Sequence, residues 1–188
     1  MNDRSETPAS APFGLSWGLS RKSVREHLSG LTPGADAEHA LTFPLNTIAE
    51  RVWSQGGFCP GVFLSSPERN GDEVTFEFAG DRLHAVFLRF GYGFGQIGQD
   101  PDTLSEQAMT TYARTEFHKL LYELSVKYGA PAYLSEHPGR SGPIHVQGIA
   151  MFGSDRHGQM QLMFGHDGGS SLMGEIWHHA RKPDAAGF

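Results

Sequence analysis

Histidines are the residues of this chain best suited to chemistry, with ten among 188 positions. His145, His157, His166, Asp167, His178 and His179 all fall in the last quarter. A metal site needs two or three imidazoles converging within about 2.0–2.2 Å of one ion. If the strands carrying them pair, His145 and His178 come near each other, and His145, His166 and His178 are the set that would ligate a metal. No H-E-x-x-H, H-x-H or Cys/His spacing pre-assembles such a site. Strand alternation also sends His178 and His179 to opposite faces. Scattered surface histidines are therefore the expectation, with no cofactor.

Other chemical signals are weaker. Gly93-Phe94-Gly95-Gln96-Ile97-Gly98 matches G-x-G-x-x-G after a predicted strand. A dinucleotide site needs its helix to begin inside that motif, with the pyrophosphate at the helix N-terminus. Here Gln99-Asp100-Pro101-Asp102 intervenes before the helix. A mobile glycine loop at a sheet end fits better, with Tyr92, Phe94 and Gln96 as candidate contacts for a partner. The single cysteine, Cys59, has no neighbouring helix N-terminus to lower its pKa and reads as a buried small side chain. No G-x-S-x-G elbow is present. Glu73, Glu77 and Asp81 fall on the wet side of a hairpin. Trp17, Trp53 and Trp177 read as core anchors, although an aromatic exposed near Phe152 or Trp177 would indicate an interface.

The elements that must position these residues are more legible. Thr103 and Glu106 form a T-x-x-E capping box. Met109, Ala113, Phe117, Leu120, Leu121, Leu124 and Tyr128 then recur with a 3.6-residue period. Gly129 and Pro131 end the helix, predicting it over Leu104–Tyr128. A shorter helix is predicted over Arg21–Ser29, capped by Ser20 and closed by Gly30. Leu41–Leu45 alternates like an edge strand, because Pro44 is tolerated only at an edge. Strands are further predicted at Gly61–Ser65, Val74–Phe78, Leu83–Phe90, Ile144–Phe152, Gln159–Phe164 and Leu172–His179, with turns at Asn70-Gly71, Gly80-Asp81 and Ser154–Gly158. Val74, Phe76 and Phe78 should face the core.

The expected fold is α+β: an antiparallel sheet of about six to seven strands packed on one long and one short helix. Each half reads as a helix followed by about three strands, a repeat of shape, since no residue pattern matches between the halves. One sheet face should be covered by helices and the other open to water or a partner. Residues 13–180 are expected to form a single domain between disordered tails at 1–12 and 181–188.

Composition limits the partners. Fifteen basic and 21 acidic side chains give a net charge of −6, spread over both halves, so no basic stripe is present for nucleic acid. A mildly acidic surface suits a basic protein instead. A lone cysteine precludes an internal disulfide, and no apolar run approaches the ~20 residues that span a bilayer. Met1–Ala11 lacks the basic-then-apolar pattern of a secretory signal, so a cytoplasmic location without membrane association is expected.

Two strings carry a resemblance. Trp17-Gly18-Leu19-Ser20-x-x-x-Val24 and Leu120-x-x-x-Leu124-x-x-Lys127-Tyr128-Gly129-Ala130-Pro131 resemble the "WG-S-x-x-x-V … L-x-x-K-Y-G-x-P" pattern of small bacterial proteins of mostly unassigned role. Their plan is similar to β-lactamase-inhibitor-like folds. Members lacking a signal resemble immunity proteins, which bind and block a toxin delivered between bacteria. The strings specify helix starts and stops and carry no catalytic residue across. The resemblance implies a non-catalytic protein-binding module. Its expected contacts are Tyr92, Phe94, Gln96, Asp155, Arg156, His157, His166 and Asp167, on the Gly91–Asp100 loop and the turns at Ser154–Gly158 and His166–Ser171. The runner-up is a small metal-dependent or hydrolytic enzyme using the C-terminal histidines, and a third reading is a ligand-binding cup.

Overall fold

The computed structural model describes residues 11–44, 47–48, 73–136, 139–154, 158–169 and 171–180. Helix α1 (Arg21–His27) begins at Ser20, whose hydroxyl accepts from the Ser23 amide at 3.1 Å. It leads into strands β1 (Ala35–Ala37), β2 (Ala40–Pro44), β3 (Glu73–Ala79) and β4 (Arg82–Gly93). Helix α2 (Glu106–Tyr128) opens the second half, followed by β5 (Tyr133–Ser135), β6 (Gly139–Ser141), β7 (Ile144–Ser154), β8 (Gly158–His166) and β9 (Ser171–His179). The fold is α+β, with two α-helices and nine antiparallel strands among the described residues.

All nine strands join one sheet in the order β1-β2-β3-β4-β9-β8-β7-β5, with β6 pairing β7 beside β5. The last strand of each half lies at the centre, where β4 and β9 pair from Ala85↔His179 to Gly93↔Ser171. Each half therefore fans outward from the same seam. The sheet exceeds the expected six to seven strands because β1, β5 and β6, three residues each, are too short to show periodicity.

Three local expectations need correction. Leu41–Leu45 was expected at an edge, but β2 lies inside β1. The edge rule survives locally, because β1 pairs only Ala40, Leu41 and Thr42, leaving Pro44 beyond its reach. The long helix starts at Glu106, not Leu104, and its cap is Ser105, whose hydroxyl accepts from the Ala108 amide at 3.2 Å. Thr103 instead closes a 3-10 turn at Pro101–Thr103, capped by Asp100, and Leu104 is extended. Pro at the first position and Asp before it favour that separate turn, which displaces the capping box. The predicted strand at Gly61–Ser65, the turn at Asn70-Gly71, Trp53 and Cys59 lie outside the described residues.

Alternation divides the sheet cleanly. Val74, Phe76, Phe78, Val86, Leu88, Leu162, Phe164 and Ile176 are buried on one face. They form one core with Val24 and Leu28 of α1 and with Met109, Ala113, Phe117, Leu120 and Leu124 of α2. Burying each such large side chain stabilises the fold by about 1.5–3 kcal/mol. Close packing beneath α2 relies on glycine. A Cβ on Gly148 would stand 2.3 Å from the Phe117 ring, and one on Gly174 would stand 2.4 Å from Phe90. Among the described residues no helix is long and apolar enough to cross a membrane.

Candidate functional site

The histidines are distributed by strand register. β7 pairs β8 and not β9, so His145 faces His166, while His178 stands opposite Met160 and Val86. The strands of His145 and His178 do not pair, so the condition for their approach is not met, and His166 and His178 are buried instead of lying on the surface. His178 is buried, edge-on to Trp17 at 5.3 Å and to Tyr128 at 5.9 Å. Burial pushes the Tyr128 phenol up to about 12.

His145 and His166 do meet, with ring centroids 4.9 Å apart and planes 23° from parallel. The Gly168 amide donates to His166 Nδ1 at 3.1 Å, which leaves the proton on Nε2, 3.4 Å from the Thr110 hydroxyl. Arg140 donates to His145 Nε2 at 2.8 Å, and His145 Nδ1 faces Glu106 Oε1 at 3.9 Å. Burial lowers the His166 pKa, and the neighbouring His145 lowers it further. The pair therefore fastens the start of α2 to the end of β8. Asp167 closes the adjoining turn by accepting from the Gly169 and Ser171 amides. Among the described residues no group of three His, Cys, Asp or Glu side chains is arranged to hold a metal ion.

Of the expected partner contacts, Phe94 is fully buried, edge-on to Tyr112 at 6.2 Å, and presents nothing to a partner. It anchors a 3-10 turn at Phe94–Ile97 that continues directly from β4. The glycine stretch is thus pinned by an aromatic side chain. Tyr92 stands opposite Leu172 one residue before the end of β4, and Gln96 lies in that 3-10 turn. His166 is buried, and Asp167 is half-buried in its turn. Asp155, Arg156 and His157 lie outside the described residues.

The sheet face opposite α1 and α2 holds a feature that single-strand periodicity could not reveal. Register aligns Thr75, Phe87, Trp177, Gln161, Met151 and Tyr133 in one row across β3, β4, β9, β8, β7 and β5. The Phe87 and Trp177 rings lie 4.0 Å apart. Towards the β5 end the row reaches solvent, with Met151 40% and Tyr133 53% exposed. Beside it, a second apolar cluster of Ile144, Val146 and Met163, backed by Ile149 and Met173, occupies the same face. Phe87 is buried and Trp177 half-buried, so the solvent-facing part of the row is Met151 and Tyr133, side chains suited to gripping a partner. Trp177, expected as a core anchor, instead lies on this face, out of phase with the buried Leu172 and Ile176. Nothing in the sequence announced which residues of other strands stand beside it.

No protein-family model, curated protein or solved structure matches this chain.

Proposed function

We propose that this chain is a non-catalytic protein-binding module, an immunity-type protein that blocks a bacterial toxin by occlusion, with the sheet face opposite α1 and α2 as its binding surface. The observation that carries this reading is the registered row from Thr75 to Tyr133, in which Phe87, Trp177, Met151 and Tyr133 stand with Thr75 and Gln161 on the sheet face opposite α1 and α2. The His145–His166 pair supports it indirectly, because both rings are engaged in fastening α2 to the sheet. A cytoplasmic setting, where an incoming toxin would be met, belongs to the same proposal.

The test is co-purification with the product of the neighbouring gene, read by native mass spectrometry and by the toxin's activity. A 1:1 complex that silences the toxin and is weakened about tenfold or more by Trp177→Ala is the expected result, since buried aromatic anchors contribute on the order of 2 kcal/mol or more. A complex of unchanged affinity in Trp177→Ala would remove the assigned surface. A neighbour that neither binds nor is inhibited would remove the immunity reading.

A further inference from the structure

The same face specifies the chemistry of what docks on it, an inference that rests on the protein-binding reading above. Carboxylates on β3 and β9 border the row on both sides. In the next row towards one end of the strands, register places Glu73, Arg89 and Glu175 side by side. Towards the other end it places Glu77, Ala85 and His179 together. One guanidinium serves the first border: Arg89 Nη1 lies 3.5 Å from Glu73 and its Nε 3.5 Å from Glu175, with the head 5.4 Å from the Phe87 ring centroid. On the second border, burial and neighbouring His84 lower the His179 pKa, so that ring is neutral at pH 7 and leaves the Glu77 charge standing. Among the described residues, three carboxylates against one guanidinium give these borders a net charge of −2, the same sign as the chain's −6.

We propose that this face receives a cationic partner: an apolar ridge bordered on both flanks by Lys or Arg side chains. Six strands span five inter-strand spacings, about 24 Å, the length of an amphipathic helix of about sixteen residues. Apolar side chains of such a ridge would lie along Trp177, Gln161 and Met151. Its flanking cations would meet Glu73 and Glu175 on one side and Glu77 on the other. An acidic partner would instead place like charges on both borders, which excludes it.

The probe is a synthetic sixteen-residue helical peptide with a leucine seam flanked by lysines, titrated into the ¹⁵N-labelled full chain beside an isomer flanked by glutamates. Perturbation centred on the Trp177 indole N–H and the amides of Gln161, Met151 and Tyr133 is expected, with the lysine peptide binding about tenfold tighter, as two or three modest rim ion pairs would give. The preference should shrink several-fold between 50 and 300 mM salt and vanish in a Glu73→Gln/Glu77→Gln double variant. Equal binding of both peptides on the row would overturn the cationic partner while leaving the protein-binding surface intact. Lysine-peptide shifts scattered over the whole surface, or no shifts at the row, would overturn it as well. Disappearance of the row shifts in both peptides together with an unaltered toxin complex in Trp177→Ala would instead locate the failure in the assigned surface.

Discussion

His166 shows how one side chain ties pH to stability. Its Nδ1 accepts from the Gly168 amide, its ring stacks on His145, and burial and that neighbour lower its pKa below 6.5. The native state therefore holds it neutral, whereas the unfolded chain takes up a proton near pH 6.5. The stabilisation is fully present above that value and is lost as pH falls through the lowered pKa. Urea midpoints measured at pH 7.5 and pH 5 should fall more steeply for the natural chain than for His166→Gln, and parallel slopes would show that this ring is not responsible. Gly174 makes a steric prediction at the same scale. Its absent side chain is the space filled by the rings of Phe90 and Phe164, whose centroids lie 5.9 Å apart. Gly174→Ala should destabilise by about 1–3 kcal/mol, the usual cost of overpacking, read from chemical denaturation.

At the scale of elements, the start of α2 separates two readings of one sequence. Thr103-x-x-Glu106 satisfies the capping-box pattern, yet the cap in the structure is Ser105, and Thr103 donates to the Asp100 carbonyl at 3.0 Å. Ser105→Ala should therefore cost about 1 kcal/mol of stability, and Thr103→Ala markedly less. Reversal of that order in thermal melts would restore the sequence-based cap. The opposite end of α2 was legible without structure, since the helix stops at Tyr128 before Gly129, although Gly129 has φ 84° and ψ −176° instead of the expected left-handed helical pair, and its amide donates to the Ser125 carbonyl at 2.9 Å. The β3–β4 turn was equally legible. Gly80 and Asp81 both adopt positive φ, as a two-residue hairpin demands, and Asp81 accepts from the Arg21 amide at the start of α1.

The whole molecule is two similarly built halves sharing one sheet. Their terminal strands β4 and β9 pair along nine residues, and side chains from both halves enter a single core. Neither half buries its apolar face without the other, so unfolding should be one cooperative transition. Tryptophan fluorescence and far-ultraviolet circular dichroism are expected to give coincident melting curves, with calorimetric and van't Hoff enthalpies in agreement. Two separated transitions would mean that each half is stable alone.

The sequence by itself determined α1, the body and C-terminal end of α2, the β3–β4 hairpin and the apolar side of β3, because these follow from neighbours within a few residues. Val74, Phe76 and Phe78 lie in the core, and Ser20 caps α1. Tertiary structure alone decided which strand lies beside which. Placing β7 against β8 brings His145 to His166 and away from His178, and it sets Met151 in line with Gln161 and Trp177. Periodicity records the direction a side chain faces relative to its own backbone. It carries no information about the partner strand across a crossover, since that choice depends on packing the entire core at once.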